Sequence, residues 1–325
     1  MAPLRAWTLR DLPFQAGRRA VITGATGGLG YQTALALAGA GANVILTGRN
    51  AAKGWEAANR IQAAHPNAQV RFEALDVASL ASVAAFAHKL LAQGNPIDLL
   101  VNNAGVMALP QRQLTPDGFE MQMGTNYLGH FALTARLLPL LVRGHRPRVV
   151  SLSSIAHRRG RIDLADFQGR RYDPWKAYGQ SKLAMLMFAL ELQRRSSAGG
   201  WGVLSNAAHP GWARTDLFAN GPHAAPGWNW QRVVAAAAAP VFSHCAAAGA
   251  LPILYAATAP RALPGMLYGP SGVGEMKGPP AVAKIARHAL DECMSASLWE
   301  LSEELVSVVF ETAAVGHARS APVAA

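Results

Sequence analysis

Tyr178 and Lys182, in the stretch YGQSK, are the residues whose types and spacing first suggest chemistry. Residues four apart on a helix face the same way, so the phenol and the ammonium group would lie one turn apart. A free tyrosine has a pKa of about 10, and a nearby ammonium group favours the phenolate and lowers that value. The pair could therefore act as a general acid or base. The same spacing occurs by chance in many helices, so the motif alone leaves an ordinary helical turn open.

Polar residues follow two apolar segments that are typical of strands. RVVSLSS brings Ser153 and Ser154 to the end of one segment, and IDLLVNNAG brings Asn103 to the end of another. Ligands of open α/β sheets bind at the carboxyl ends of the strands, where a hydroxyl group can hold a substrate oxygen. For NNAG, a turn whose side chains bond to the backbone is the alternative interpretation.

A glycine-rich stretch, TGATGGLG at residues 23–30, lies between the first predicted strand and the first predicted helix. Its glycines allow a tight turn and a close approach of the backbone to a ligand. The amino terminus of the helix then offers free N–H groups and the positive end of its dipole to a pyrophosphate. In this strand–turn–helix context the loop predicts dinucleotide binding rather than a plain turn.

The end of the second predicted strand indicates which dinucleotide binds. An NAD site usually has an acidic residue about 20 residues past the loop, where it bonds the ribose hydroxyls. Gly48 and Arg49, in TGRN, take that place in this chain. Arginine can bond a 2′-phosphate with two parallel N–H groups. We therefore expect a preference for NADP(H), with NAD(H) and a plain surface role for Arg49 as the open alternatives.

Short apolar segments alternate with longer helical patterns along the chain, and a long helical pattern covers Phe119 to Val142. Strands that are apolar along most of their length suit a parallel sheet covered on both faces. The alternation predicts an α/β fold: a Rossmann-type, doubly wound parallel sheet of about seven strands, with helices on both faces, in a single domain with a substrate lid. The predicted strands lie in RAVIT, NVILT, VRFEAL, IDLLVNN, RVVSLSS, VLSNAAH and GMLYG.

The domain is expected to span residues 19–312, after an N-terminal extension at 1–18 and before a flexible tail at 313–325. The lid is expected at about 216–250. Trp228 and Trp230 in this segment could line an apolar pocket or pack on the sheet, and both interpretations stay open.

Composition excludes several classes of protein. The formal charge is +11 over 325 residues, but the arginines are scattered and form no long basic run, so we expect no nucleic-acid partner. No stretch of 18 apolar residues lacks charge, so no membrane-spanning helix is expected. The two cysteines, Cys245 and Cys293, are far apart and indicate neither a disulfide framework nor a metal site. A cytoplasmic location is therefore expected.

Taken together and in order, these motifs resemble the short-chain dehydrogenase/reductase family over residues 19–269, approximately. The stretches NYLGHFALT, SSIAHRRGRID and YGPSGVGEMKGPP resemble more narrowly its retinol dehydrogenase and WW-domain oxidoreductase branch, although this chain has no WW domain. Ser154 and Tyr178 are 24 residues apart, about twice the usual separation in the family. The insert at 156–175 is also a feature of this branch, and we expect it to form a loop beside the site.

The resemblance assigns roles to individual residues. Ser154 is expected to hold and polarise the substrate oxygen and Tyr178 to move the proton. Lys182 would lower the Tyr178 pKa and hold the nicotinamide ribose, while Asn126 would position a relay water. The expected substrate-binding residues are Ser154, Ile155, Met107 and Trp212. The expected cofactor-binding residues are Gly24, Thr26, Gly28, Leu29, Gly30, Arg49, Asp76, Val77, Asn103, Ala104, Gly105, Tyr178, Lys182, Pro210, Gly211 and Thr215.

The function expected from this resemblance is that of an oxidoreductase. It would transfer a hydride between NADP(H) and an apolar alcohol, aldehyde or ketone, without a metal. The alternative is an NADPH-binding regulatory or interaction protein with little catalysis, whose usual sign would be a lost tyrosine or lysine. Family members usually form dimers or tetramers, so a homo-oligomer is also open.

Overall fold

The computed structural model of the protein describes residues 6–213 and 244–311. Thr215, Trp228, Trp230, most of the expected lid and the tail at 313–325 lie outside the described residues. Of the expected insert at 156–175, residues up to 173 form a loop that begins with the 3₁₀ turn Ile155–Arg158, and the last two residues belong to the helix that begins at Pro174. Within the described ranges, no helix is long and apolar enough to cross a bilayer.

One sheet of eight strands runs through the described part of the chain, in the order β3-β2-β1-β4-β5-β6-β7-β8. The first seven strands are parallel, and β8 pairs antiparallel with β7. The bounds are β1 Arg19–Ile22, β2 Asn43–Gly48, β3 Val70–Ala74, β4 Leu99–Asn102, β5 Arg148–Leu152, β6 Leu204–Ala208, β7 Leu267–Pro270 and β8 Pro280–Val282.

The fold class and the seven parallel strands are confirmed, and β8 is an addition. This strand has only three residues and begins at the last proline of the segment MKGPP. Its residue Pro280 cannot donate a ladder hydrogen bond, which confines such a residue to an edge or to the first position of a strand. A strand this short carries no periodic pattern from which it could be predicted.

Helices cover both faces of the sheet. Helices α1, α2 and α7 pack on one face, and α3, α5 and α6 pack on the other, where α8 covers α5 and α6. Successive side chains of a strand point to opposite faces of the sheet. Val21 accordingly belongs to one hydrophobic core, and its neighbours Ala20 and Ile22 belong to the other. The bounds are α1 Gly28–Gly39, α2 Ala51–Ala64, α3 Leu80–Gln93, α4 Met121–Met123, α5 Gly129–Leu141, α6 Pro174–Ala198, α7 Ala246–Thr258 and α8 Glu292–Val306.

The predicted helix from Phe119 to Val142 is not continuous. It is divided into α4 and α5 by a π-helical turn at Gly124–Leu128, and it begins only at Met121, because the Glu120 carboxylate caps α4. π-helical turns of this kind occur frequently at functional sites. Sequence periodicity did not reveal the turn because the apolar pattern continues through it.

Thr23 joins three elements below the point where the strand order reverses between β1 and β4. Its Oγ1 accepts hydrogen bonds from the N–H groups of Asn103 (2.8 Å) and Ala104 (2.9 Å) and lies 2.8 Å from His130 Nε2. A carbonyl oxygen can only accept, so His130 Nδ1, 3.1 Å from Asn126 O, carries the proton of the neutral ring. Nε2 is then an acceptor, and the Thr23 hydroxyl donates to it rather than to Val101 O at 3.4 Å.

The C-terminal helix α8, which the sequence analysis did not identify, completes the core. Trp299 on this helix is fully buried. Its ring stacks on Phe188 of α6 and makes an edge contact with Phe131 of α5, with centroids 5.7 and 4.9 Å apart. Phe310, beyond the end of α8, lies against the same ring at 4.3 Å. This aromatic cluster therefore fixes α5 and α6 relative to each other.

Replacing Trp299 with alanine should lower the free energy of unfolding by about 3–5 kcal/mol, because a fully buried indole leaves a cavity. Urea denaturation at neutral pH measures the change. Trp55→Ala is the matched control: this side chain is 55% exposed, so its loss should cost much less. Equal losses from the two substitutions would contradict the assigned packing of α8.

Burial lowers the pKa of His130 from 6.5 to about 4. The hydrogen bond to Asn126 O opposes this shift, and the positive charge of Lys182 adds to it. Between those two pH values the unfolded chain binds a proton that the native protein does not. The free energy of unfolding should therefore be highest above pH 6.5 and fall by roughly 3 kcal/mol as the pH drops to 4.

This contribution should disappear in His130→Gln, whose unfolding free energy should depend less steeply on pH. Denaturant titrations at pH 7, 5.5 and 4.5 provide the measurement. The matched control is His88→Gln, which changes an exposed histidine on α3. If His130→Gln retains the wild-type slope, the buried histidine is not the group responsible.

Candidate active site

The phosphate loop lies between β1 and α1, as the sequence predicts. Gly24 has a φ of +62°, and a Cβ there would lie 2.9 Å from the Ala104 Cα. A Cβ on Gly30 would overlap the Asn103 side chain, whose Nδ2 donates to Thr23 O at 2.7 Å. The N-cap residue Gly27 has no side chain to bond the first N–H groups of α1. The loop thus leaves those N–H groups for a ligand anion.

Arg49 follows β2 at the same edge of the sheet. Its side chain is exposed, and it lines a cleft of about 300 Å³ together with Gly48. Asn50 caps α2 by accepting a hydrogen bond from Lys53 N, so the helix begins directly after the arginine. Asp76, after β3, accepts from Ala78 N at 3.0 Å and lines the same cleft. The residues expected at the adenosine end are therefore close together.

Tyr178 and Lys182 occupy the opposite end of this cleft. Both lie on α6, and each side chain is 5% exposed. Lys182 Nζ lies 5.8 Å from the centre of the Tyr178 ring and donates to Leu152 O at 3.1 Å. Ser154 follows β5, and its Oγ accepts from Ala156 N at 3.2 Å. The end of β5 and the first half of α6 therefore bring a hydroxyl, a phenol and an ammonium group together.

Burial determines the acidity of this group. It raises the pKa of Tyr178 to about 12, against the lowering effect of its hydrogen bond with Ser154. It also lowers the pKa of Lys182 to about 8. The Tyr178 pKa therefore lies above its ordinary value of about 10, because removal from water disfavours the phenolate. The expected lowering by the ammonium group of Lys182 stays a prediction. Tyr178 is consequently a phenol, ready to donate a proton, at neutral pH.

Asn126 lies in the π-helical turn, where its side chain makes three hydrogen bonds. Nδ2 donates to Val106 O at 2.9 Å and to Ser181 Oγ at 2.8 Å, and Oδ1 accepts from Val106 N at 2.7 Å. A Cβ added to Gly105 would lie 2.9 Å from Asn126 Oδ1 and 3.5 Å from Lys182 Nζ. The amide and the ammonium group therefore approach each other across Gly105, while the role of Asn126 in holding a water remains a prediction.

The cleft contains most of the expected cofactor residues. Gly30 and Gly211 are not among the lining residues, and Thr215 lies outside the described residues. Of the two serines at the end of β5, Ser153 lines the cleft. The expected residues that line it are Gly24, Thr26, Gly28, Leu29, Arg49, Asp76, Val77, Asn103, Ala104, Gly105, Tyr178, Lys182 and Pro210.

The expected substrate-binding residues do not all lie beside Tyr178. Met107 packs on Tyr178 together with Ala108 and Ala156. Ile155 begins the 3₁₀ turn after Ser154, and the structure does not place Trp212 in the cleft. Trp175 was missed by the sequence analysis: its ring is 53% exposed and lies 6.2 Å from the Tyr178 ring, edge-on. Its position three residues before Tyr178 on one helix was the available signal.

A second cleft of about 350 Å³ lies between the insert and α6. Its carboxylates already bond to nearby backbone. Asp163 accepts from Ala165 N and Asp166 N, Asp166 accepts from Arg170 N, and Asp173 caps α6. This cleft is therefore explained by the folding of the insert, and the cleft beside Tyr178 is the candidate site.

The residues present fit a dinucleotide. Gly24 and Gly30 are positions where a Cβ would close the loop, and the first N–H groups of α1 have no side-chain cap. Arg49 and Asp76 would hold the adenosine half, while Tyr178 and Lys182 lie at the other end of the same cleft. Within the described residues, no group of three His, Cys, Asp or Glu side chains could hold a metal ion.

Comparisons with known proteins agree with this geometry. The chain is 48% identical over 212 residues to mouse polyprenol dehydrogenase, covering 64% of this chain and 63% of that protein. It is 49% identical over 203 residues to mouse retinol dehydrogenase 13, covering 62% and 60%. The alignments thus span less than two-thirds of the length of these curated relatives. The expected resemblance to the retinol dehydrogenase branch is confirmed.

Solved structures extend the similarity to nearly the whole chain. The crystal structure of an uncharacterized protein from Mycobacterium paratuberculosis is 41% identical with a TM-score of 0.78, covering 95% of this chain and 100% of that one. A short-chain dehydrogenase from Shigella flexneri complexed with NADP is 25% identical with a TM-score of 0.60, covering 79% and 98%. The family model for short chain dehydrogenases matches residues 18–225. The chain therefore belongs to the short-chain dehydrogenase family.

Proposed function

We propose that this oxidoreductase prefers NADP(H) and interconverts an apolar alcohol with its aldehyde or ketone. The observation that carries the proposal is one continuous cleft with the phosphate loop and Arg49 at one end and the buried Tyr178–Lys182 pair at the other. A nucleotide held at the loop would extend toward the phenol. The nicotinamide, when bound, would supply or accept the hydride.

Arg49 supports the preference for NADP(H). It is the charged residue that follows β2, where an NAD site would carry a carboxylate. Its guanidinium group is exposed to the cleft and can bond a 2′-phosphate through two N–H groups. The structural relative from Shigella flexneri, which is complexed with NADP, agrees with this choice.

The acidity of Tyr178 supports a role as general acid in reduction. A phenol with a pKa of about 12 carries its proton at neutral pH and can donate it to a carbonyl oxygen. Ser154 would hold that oxygen and stabilise the negative charge that develops on it. In oxidation the phenolate would take the alcohol proton, and the ammonium group of Lys182 would stabilise that phenolate.

The surroundings of Tyr178 support an apolar substrate. Met107, Ala108 and Ala156 pack around the phenol, and Trp175 leaves an exposed aromatic face beside it. These side chains offer contact area and few polar groups, which favours a hydrocarbon next to the reacting carbon. The names of the two mouse relatives refer to polyprenol and retinol, which are both apolar alcohols.

Replacing Arg49 with alanine should weaken NADPH binding by roughly 10- to 100-fold, because charge-assisted hydrogen bonds to the 2′-phosphate are lost. NADH binding should stay unchanged, since NADH lacks that phosphate. Isothermal titration calorimetry measures both constants. Arg143→Ala, which removes an exposed charge just after α5, is the matched control. An equal loss for NADPH and NADH would refute the assigned role.

Replacing Tyr178 with phenylalanine should reduce turnover by about 10²- to 10⁴-fold, because the proton donor is removed. NADPH binding should remain within a few-fold of wild type. Stopped assays over a panel of aliphatic and aromatic aldehydes and ketones provide the measurement, with Tyr255→Phe on α7 as the matched control. Wild-type protein that binds NADPH but reduces no carbonyl compound would instead favour a regulatory protein.

A further inference from the structure

The segment YGPSGVGEMKGPP contributes a carboxylate that the catalytic group does not use. Glu275 ends the 3₁₀ turn Val273–Glu275, between β7 and β8. Its side chain is 20% exposed. Its backbone has a φ of +58°, a conformation that is rarely adopted by residues other than glycine. The backbone of Glu275 is therefore strained, and the contacts of its side chain indicate what this conformation achieves.

Glu275 contacts three separate parts of the fold. Oε2 accepts from His209 Nε2 at 2.9 Å and from Arg158 at 2.5 Å, and Oε1 accepts from Lys284 N at 3.0 Å. His209 follows β6, Lys284 follows β8, and Arg158 ends the 3₁₀ turn that begins after Ser154. Burial alone would raise the Glu275 pKa, yet His209, the Lys284 N–H and Arg158 together lower it to about 2.

His209 transmits this contact to the wall of the cleft. The ring is fully buried, and its Nδ1 accepts from Gly211 N at 3.2 Å, so the ring proton lies on Nε2 and is donated to Glu275. Trp212 N donates to Met276 O at 2.9 Å, and a Cβ on Gly211 would overlap the same carbonyl. The segment 209–212 is therefore docked at three points on Glu275 and Met276.

Pro210 lies inside this docked segment and lines the nucleotide cleft near Tyr178. Arg49 and Asp76 line the other end of the cleft, and Glu275 bonds to neither of them. We propose that Glu275 is a positioning residue: acting through His209, it sets the position of Pro210 and Gly211 against the nicotinamide half of the cofactor. This inference rests on the proposed function, since it concerns the nucleotide bound there.

Glu275→Gln is the sharpest test of this role. A carboxylate offers one oxygen to His209 and another to Lys284 N, whereas an amide has a single acceptor oxygen. One of the two donors would then face the NH₂ group of the glutamine. We expect NADPH binding to weaken by about tenfold, the factor that corresponds to one lost hydrogen bond to a charged group.

Adenosine 2′,5′-bisphosphate separates positioning from general damage to the fold, because it carries only the half of NADPH that reaches Arg49. Its affinity should be unchanged in Glu275→Gln, as measured by calorimetry. Glu73→Gln is the matched control: Glu73 also pairs with two cations, Arg71 and Lys89, but lies on β3. This control should leave both affinities unchanged.

A double-mutant cycle tests the route through His209. In a His209→Gln background, Glu275→Gln should cause little further loss of NADPH affinity. Equal weakening of NADPH and the bisphosphate by Glu275→Gln, or no weakening of either, would overturn the inference while leaving the proposed function in place. Wild-type protein that binds neither ligand would overturn both.

Discussion

The hydroxyl group of Thr23 is the contact on which the rest of the site depends. A doubly wound sheet opens a crevice where the strand order reverses, and here β1 and β4 are neighbours at that point. Thr23 Oγ1 accepts two backbone N–H groups from the turn after β4 and donates to a buried histidine of α5. The phosphate loop and the NNAG turn thereby meet at one atom, and His130 connects that atom to the π-helical turn through Asn126 O. Unpaired buried groups at this place would be costly.

Close contacts between backbone segments connect these elements across the cleft. A Cβ on Gly24 would meet Ala104, and a Cβ on Gly129 would overlap Val77 O, which lies at the nucleotide edge. The amino end of α5 therefore touches the loop after β3, while its π-helical turn places Asn126 beside Gly105. The two ends of the cleft, at Asp76 and at Lys182, are therefore connected through these contacts.

Removal from water determines the chemistry of Tyr178 and Lys182. Burial disfavours the charged form of each group, so it raises the pKa of Tyr178 and lowers that of Lys182 to about 8, which still leaves an ammonium group at neutral pH. A neutral phenol suits proton donation to a carbonyl oxygen. The reverse reaction needs a phenolate, which the neighbouring ammonium group can stabilise more strongly in a low-dielectric environment than in water. The spacing in YGQSK predicts only that Tyr178 and Lys182 are close together. Their pKa values depend on how deeply α6 is buried.

The sequence by itself determined the fold class, seven parallel strands, the phosphate loop and the place of Tyr178 and Lys182. These features depend on local patterns: apolar runs, glycines at turns and residues four apart on a helix. The π-helical turn, β8, the packing of α8 and the exposed face of Trp175 were decided by tertiary structure. Glu275 shows the reason most clearly. It is 66 residues from His209, and its contact exists only because β6 and β7 are neighbours in the sheet. Burial and long-range contacts of this kind leave no periodic trace in a single sequence.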